Sequence, residues 1–204
     1  MSPKILRCVS IKQGQVLVDG AGVFEHHKGG FAEFSQLTYK QLQADYPKFH
    51  KMDNLAKLGF LAAEFLLTDK NLLAGAPPEQ IGIVVANATS STDTDLRYNA
   101  QVQKQLASPA LFVYTLPNIV LGEICIRHGI KGENMLFVAD AFDAHSQVAY
   151  IRQLFADSVM TTCIAGWLDF FDQEYRAFLY VVGNSTAPAL PDYTASQVHT
   201  LFNT

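Results

Sequence analysis

Residues 108–143 of the chain, SPALFVYTLPNIVLGEICIRHGIKGENMLFVADAFD, carry its most informative pattern. Pro117 stands before an apolar stretch with helical spacing, and Gly129 follows that stretch. A proline ring is tolerated in the first turn of a helix and glycine often ends one, so the pattern predicts a helix from Leu116 to Arg127. The run MLFVA then predicts a short buried strand from Asn134 to Ala139.

The segments on either side alternate between helix and strand patterns. Asp53 or Asn54 can cap a helix whose apolar residues recur at helical spacing from Leu55 to Leu66. The continuous apolar run IGIVVANAT predicts a strand that is covered on both faces. Further predicted elements are a helix within Ser91–Leu106, a helix from about Ala144 to Phe155, and two final strands, SVMTTCIAGWL and YRAFLYVVG, joined by a turn at Asp172-Gln173.

Residues 1–50 carry a weaker signal. Ile5–Val18 contains two strand-like runs, ILRCVSI and QVLVDG, the second of which extends to residue 20. These runs predict either a hairpin or one interrupted strand. Ala21 to Pro47 carries turn signals, including Gly29-Gly30, with a short helical piece around Leu37–Asp45. The tail, residues 185–204, contains Pro and Thr and is predicted to dock loosely.

The composition restricts the possible functions. With 204 residues, 49% of them hydrophobic and 17% charged, the chain can bury a sizeable core, so we expect a single domain over residues 1–204. A net charge of −4 without a basic stripe argues against nucleic acid as a partner. Cys8, Cys125 and Cys163 are far apart, which predicts buried apolar thiols and no metal site. No apolar run is long enough for a membrane span, and we expect a cytoplasmic protein without a cofactor.

Several of these residues match a family pattern. Residues 108–143 resemble the β-ketoacyl synthases, in which Ser-Pro, Pro-Asn and Gly-x-x-Gly-Pro-Asn lead through a buried strand to Thr-Ala-Cys. Met52-Asp53 is similar to the start of a helix in that family. The resemblance covers about residues 51–184 and implies the N-terminal half of the thiolase-like fold, an α/β arrangement with a mixed sheet of about five strands and helices on both faces. The matching positions are Ser108-Pro109, Pro117-Asn118, Gly122, Gly129, Gly132 and Asn134.

This resemblance places Ala141 where the synthases carry their nucleophilic cysteine, because Thr-Ala-Cys falls on Ala139-Asp140-Ala141. Alanine has no lone pair with which to attack an acyl group. The half of a synthase that supplies the catalytic histidines and lysine would lie beyond residue 204. The resemblance therefore implies a catalytically inactive accessory or partner protein in fatty-acid, polyketide or aryl-polyene type biosynthesis, which docks acyl carrier protein or a full synthase. Chain-length factors share the missing cysteine but keep the second half.

Two other functions stay open on the sequence. A small enzyme could hydrolyse or transfer acyl groups in a remnant pocket through Asp140, Asp143 or His145, although Asp143 is equally suited to cap the following helix. The chain could instead supply one half of a split synthase, whose completed site would still hold Ala141. An open cavity at Ala141 with a carboxylate beside an imidazole would favour the enzyme.

The resemblance also implies a pocket and an interface. Four aromatic residues near the motif would either line a remnant acyl pocket or fill its volume, namely Phe112, Tyr114, Phe137 and Phe142. The strand that contains Met135, Phe137 and Ala139 meets its two-fold mate in the synthases, so we expect a homodimer or a heterodimer with a ketosynthase through this strand. The helix from Ala144 has one apolar stripe and one polar face that includes Gln147, which predicts a side open to water.

Overall fold

The computed structural model describes residues 2–185 and 190–204, which build a seven-stranded mixed sheet with helices on both faces. The strands are β1 (Ser2–Lys12), β2 (Gln15–Val18), β3 (Ala21–Glu25), β4 (Ile81–Asn87), β5 (Asn134–Val138), β6 (Thr162–Phe171) and β7 (Glu174–Ser185). Their order across the sheet is β3-β2-β1-β7-β6-β4-β5. The helices are α1 (Gly30–Gln41), α2 (Asn54–Leu66), α3 (Thr92–Gln103), α4 (Pro109–Phe112), α5 (Ile119–His128), α6 (Ala144–Ala156) and α7 (Ala195–Asn203).

Parallel pairing is confined to one end of the sheet. β4 pairs in parallel with β5 on one side and with β6 on the other, whereas the remaining pairs are antiparallel. All seven residues of β4 are buried, as predicted for a strand covered on both faces. β5 lies at the margin of the sheet. The strand predicted to be buried at Asn134–Ala139 is therefore partly exposed along its whole length.

The hairpin of β6 and β7 forms the centre of the sheet. It turns at Asp172-Gln173, as predicted, and both residues have positive φ angles, 46° and 71°. Gly166 in β6 has a φ of 146°, and a Cβ at this position would lie 1.8 Å from the carbonyl oxygen of Phe178. This position therefore requires glycine, because the neighbouring strand comes too close for a side chain.

The helices α1, α2 and α5 cover one face of the sheet. Asp53 caps α2 by accepting a hydrogen bond from the backbone N–H of Ala56 at 2.8 Å, which confirms one of the two predicted caps. α5 begins at Ile119 and not at Leu116, because Val113–Thr115 forms a 3-10 turn before it, and it ends at Gly129 as predicted. The core on this face includes Phe31, Phe34, Leu58, Phe60, Leu121 and Ile124.

The helices α6 and α7 cover the opposite face. Ala144, Val148 and Ile151 of α6 are buried against the sheet, and the outward side of the helix is exposed, as the predicted apolar stripe requires. The tail is more firmly docked than predicted, because Tyr193 and Val198 are fully buried and α7 packs in the same cluster. Residues 186–189 of the predicted tail lie outside the described part of the chain.

Two further predictions need correction. The sheet has seven strands instead of about five. Residues 15–18 form β2 as in the predicted hairpin, and residues 21–25, where only turn signals were noted, add β3 by antiparallel pairing. The helical piece predicted around Leu37–Asp45 is α1, which begins at Gly30. Among the described residues no single helix is long and apolar enough to cross a membrane, and the bent pair Pro109–Thr115 and Ile119–His128 meets that criterion by length and composition alone.

Candidate functional site

Ala141 lies in the loop between β5 and α6. The backbone N–H of Ala139 donates to the carbonyl of Asn87 at 2.9 Å, which holds the end of β5 beside the end of β4. Asp140 and Ala141 are both exposed, and α6 begins three residues after Ala141. The loop therefore lies at the positive end of a helix dipole, at the edge of the sheet where the two parallel strands end.

Asp143 is the N-cap of α6. Its Oδ1 accepts hydrogen bonds from the backbone N–H groups of His145, at 2.9 Å, and Ser146, at 3.1 Å, and the Ser146 hydroxyl donates to Oδ2. These hydrogen bonds from Ser146 and His145 lower the pKa of Asp143, so the carboxylate is a poor proton acceptor. The imidazole of His145 is exposed. The capping role accounts for Asp143 without any catalytic function.

Two cavities reach Ala141. The smaller, about 210 Å³, is lined by residues 137–139 at the end of β5 and by Asp143 and Gln147. The larger, about 580 Å³, lies on the other side of the loop and is lined in part by Phe142, Trp167 and Phe202. Neither lining contains a histidine among the described residues. The described residues therefore do not bring a carboxylate and an imidazole together at Ala141.

The four aromatic residues grouped from the sequence are dispersed. Phe112 is 58% exposed on α4. Tyr114 is buried on the α2 and α5 side of the sheet and donates a hydrogen bond to the carboxylate of Glu123 at 3.1 Å. Phe137 lines the smaller cavity and Phe142 the larger one. The four rings therefore do not line one common acyl pocket at Ala141.

The three thiols are unsuited to nucleophilic chemistry. Burial raises the pKa of Cys8 and of Cys125 to about 11, and it raises the pKa of the fully buried Cys163 further. The thiolate is the reactive form of cysteine, and these environments disfavour it. Cys163 is buried as the sequence predicts, whereas Cys8 and Cys125 are only half-buried.

The outer edge of β5 is open and apolar. Phe137 is 39% exposed and Val138 is 57% exposed. Met135 is half-buried against the α6 side, and the ring of Phe137 lies 5.3 Å from that of Tyr150 on α6. Ala139, just after the strand, is exposed. An edge strand with free backbone groups and apolar side chains is a template for the addition of another strand.

A second exposed apolar surface lies around α4. The Asn87 side-chain amide donates to the carbonyl of Ser90 at 3.0 Å, and the Ser91 hydroxyl donates to the carbonyl of Thr115 at 2.9 Å. The second of these hydrogen bonds connects the loop after β4 to the turn after α4. We call Phe112, Val113 and Leu116 the apolar tip; they are 58%, 47% and 58% exposed. The sequence contains no signal for this exposure, because apolar residues in a run are ordinarily core.

Basic side chains concentrate around the start of α2 in this otherwise acidic chain. Lys51 is exposed, and Lys48 Nζ lies 2.9 Å from Glu123 Oε1. Burial and the neighbouring charge of Arg97 lower the pKa of Lys57. We call Lys48, Lys51, Lys57 and Arg97 the basic cluster. Part of its charge is neutralised, because Lys48 is paired with Glu123 and Arg97 lies 3.8 Å from Asp93.

No family model matches the sequence, and no curated protein matches it. Solved structures do match. One is the ishigamide ketosynthase/chain length factor, with 18% identity, a TM-score of 0.65, and coverage of 94% of this chain and 64% of that chain. Another is a type II polyketide synthase acyl-carrier protein in complex with its ketosynthase bound to a hexaketide, with 12% identity, a TM-score of 0.58, and coverage of 89% and 62%.

A third match is a ketosynthase in complex with its chain length factor from Xenorhabdus doucetiae, with 12% identity, a TM-score of 0.55, and coverage of 100% of this chain and 91% of that chain. The chain thus spans less than two thirds of the length of the first two matches, 64% and 62%, and nearly all of the third. At such low identities the similarity establishes the fold alone. The fold of this chain is therefore similar to that of the ketosynthases and chain length factors.

Proposed function

We propose that this protein is a catalytically inactive, ketosynthase-like partner subunit in fatty-acid, polyketide or aryl-polyene type biosynthesis, and that it binds a ketosynthase through β5. The observation that carries the proposal is the open apolar edge of β5, where Phe137 and Val138 are 39% and 57% exposed. Structures of the same fold include a ketosynthase in complex with its chain length factor, which supports a role as one half of such a pair.

The chemistry at Ala141 supports an inactive subunit. The loop before α6 has the favourable dipole for a thiolate, but Ala141 has no nucleophilic atom and Asp143 occupies the end of the helix. Acyl hydrolysis or transfer by Asp140, Asp143 or His145 is less well supported, because Asp143 is engaged in capping and the two described cavity linings contain no imidazole. A split synthase completed by another chain would face the same lack of a thiol at Ala141.

The proposed interface joins two surfaces. The free N–H and C=O groups of β5 would pair with an edge strand of the ketosynthase and extend the sheet across the contact. The apolar tip, which the Ser91 hydroxyl connects to the loop after β4, is proposed as the second part of the same interface. Exposed aromatic and aliphatic groups next to an open edge are typical of a surface that is covered in an assembly.

The basic cluster supports a second contact, with acyl carrier protein. Lys51 is exposed at the margin of the basic cluster, so an acidic partner surface can approach its charge. We propose that a carrier protein with an acidic docking helix binds here. One of the matching structures contains a carrier protein in complex with its ketosynthase.

The edge-strand contact is tested by charge substitutions at two edges of the same sheet. Val138→Lys places a charge on the exposed edge of β5, and Val23→Lys is its matched control on β3, where Val23 is 43% exposed at the other edge. We expect wild type and Val23→Lys to form a complex with a ketosynthase from the same biosynthetic system in size-exclusion chromatography with light scattering. Val138→Lys should lose the complex and keep its fold by circular dichroism.

The proposal fails if Val138→Lys binds the ketosynthase as well as Val23→Lys does, or if wild type forms no complex. Hydrogen exchange provides an independent readout, since the backbone amides of β5 should gain protection on complex formation while those of β3 should not.

The carrier contact is tested by charge reversal in the basic cluster. Lys51→Glu should weaken the binding of acyl carrier protein about tenfold in a titration followed by NMR, because it replaces attraction with repulsion. Lys28→Glu, an equally exposed lysine before α1, is the matched control and should leave the affinity unchanged. Equal affinity of both variants would contradict a role for the basic cluster.

A further inference from the structure

We propose that the charges at the two ends of β5 select a different chain as the partner and disfavour pairing with a second copy of this one. The inference rests on the edge-strand contact proposed above. Glu133 directly precedes β5, and Asp140 follows it by two residues. The apolar edge of the strand is therefore bounded by an acidic residue at each end.

Two-fold symmetry makes this arrangement unfavourable in a homodimer. When an edge strand pairs with its own copy about a two-fold axis, the strands are antiparallel and every contact occurs twice. Pairing centred on Leu136 brings Glu133 of one copy beside Ala139 and Asp140 of the other. If the register shifts by one residue toward the C-terminal end of the strand, Glu133 of one copy lies directly opposite Asp140 of the other. Like charges across paired strands are destabilising, and the homodimer contains two such contacts.

The neighbouring charges do not remove the repulsion. Lys131 is the cation next to Glu133, but its Nζ lies 3.7 Å from the carboxylate of Glu79. Glu133 accepts a hydrogen bond from the hydroxyl of Tyr150 at 3.3 Å, which leaves its charge in place. Asp143 adds a second carboxylate beyond Asp140. Both ends of β5 are therefore negative overall.

A partner with basic residues at both ends of its edge strand would replace this repulsion with attraction. A chain of the same fold whose edge strand is preceded and followed by Lys or Arg would place a cation opposite each acidic end of β5. Attraction between opposite charges at both ends would then add to the backbone pairing and the apolar contacts. The charges at Glu133 and Asp140 thus act as specificity determinants for a heterodimer.

The experiment compares single and double charge reversals in the full chain. Asp140→Lys places a lysine opposite Glu133 of the second copy, and Glu133→Lys places one opposite Asp140, so each single variant should self-associate at least about tenfold more tightly than wild type in sedimentation equilibrium. The double variant restores like charges and should return to the weak association of wild type. Asp157→Lys, at the exposed far end of α6, is the matched control and should behave as wild type.

Salt provides a second readout, since screening should strengthen wild-type self-association and weaken that of the single variants. The inference is overturned if the single variants associate no more tightly than wild type, or if the double variant associates as tightly as the single ones. The added substitution Val138→Lys separates the two proposals. If it leaves the Asp140→Lys dimer intact, self-association does not use β5 and the inference fails, whereas the proposed function is decided by ketosynthase binding; if it dissolves that dimer, the edge-strand contact is supported.

Discussion

A single buried polar side chain joins α6 to the sheet. Gln147, which the amphipathic pattern assigned to the polar face of the helix, is 5% exposed. Its amide nitrogen donates to the carbonyl oxygens of Gly166, at 2.9 Å, and Val84, at 3.3 Å, and its oxygen accepts from the hydroxyl of Tyr180 at 2.9 Å. A buried polar group with this many partners is costly to replace, because each partner loses its hydrogen bond together with it.

We predict that Gln147→Leu lowers the free energy of unfolding by about 2–3 kcal/mol, because it leaves buried partners of Gln147 without a hydrogen bond. Urea denaturation followed by circular dichroism measures this change. Gln153→Leu, on the exposed side of the same helix, should change the stability by less than about 0.5 kcal/mol. Equal effects of the two substitutions would mean that the buried hydrogen bonds contribute nothing specific.

The position of Ala141 can be probed by the introduction of a thiol. In wild type, Cys8 and Cys125 have pKa values raised to about 11 by burial, so iodoacetamide should react slowly with the folded protein at neutral pH. Ala141→Cys introduces an exposed thiol at a helix N-terminus, and we predict alkylation roughly a hundredfold faster at that position. Mass spectrometry identifies the modified residue. Slow alkylation of the introduced thiol would show that the loop is closed in solution.

Among the secondary-structure elements, α2 and α5 are joined by a charged cluster near their C-terminal ends. Arg127 forms a bidentate ion pair with Glu64, in which Nε lies 2.8 Å from Oε1 and Nη2 lies 3.1 Å from Oε2. His128 Nε2 lies 3.3 Å from the same carboxylate. Burial by itself raises the pKa of Glu64, but His128 and Arg127 outweigh it and lower the pKa to about 2. The two helices are thereby held in register over the sheet.

We predict that Glu64→Gln lowers the stability at neutral pH by on the order of 2 kcal/mol, after allowance for solvent screening of the pair. Because the folded pKa lies below the ordinary value of 4.5, the stabilisation is complete above about pH 4.5 and is lost as the pH falls toward about 2. The difference between wild type and variant should therefore vanish in acid. Denaturation at a series of pH values tests this, with Glu79→Gln, whose carboxylate is 66% exposed, as the unaffected control. If the stability difference between wild type and Glu64→Gln did not change with pH, the stabilisation would not come from the ionised Glu64 carboxylate.

At the level of the whole molecule, one end of the sheet is left open. The edge of β5 and the apolar tip both expose apolar residues, while β3 closes the other end of the sheet as a short strand of five residues. Exposed apolar surfaces of this kind are typical of sites that another protein covers.

We predict that Phe112→Ser lowers the free energy of unfolding by about 1 kcal/mol, because the ring is 58% exposed but packs 5.4 Å from the ring of Tyr98. It should weaken ketosynthase binding at least about tenfold, since exposed aromatic residues often dominate interfaces. Calorimetric titration measures the affinity. Val23→Ser, at the opposite edge of the sheet, is the control and should bind as wild type does. If Phe112→Ser binds the ketosynthase with unchanged affinity, the apolar tip is not part of the interface.

Local patterns in the sequence predicted many of the elements correctly. The burial of β4, the cap of α2 at Asp53, the start of α6 and the turn at Asp172-Gln173 all follow from signals within a few residues of one another. The start of α1 was missed because Gly29 and Gly30, both at positive φ, are more typical of a turn than of a helix start. The exposed state of β5 was missed because an apolar run indicates burial and not what covers it.

Apolar periodicity, helix caps and turn residues in this chain were sufficient to predict an alternation of helices and strands. The α/β layers with helices on both faces, and Ala141 in place of a nucleophile, followed from its resemblance to a family. Those signals involve residues that are close together in the sequence. The pairing of β1 with β7, the burial of Gln147 and the meeting of Glu64 with Arg127 join residues far apart in the sequence, and the open edge of β5 depends on which strand lies next to it. Such contacts arise only when the whole chain packs, because each depends on neighbours that no local pattern specifies.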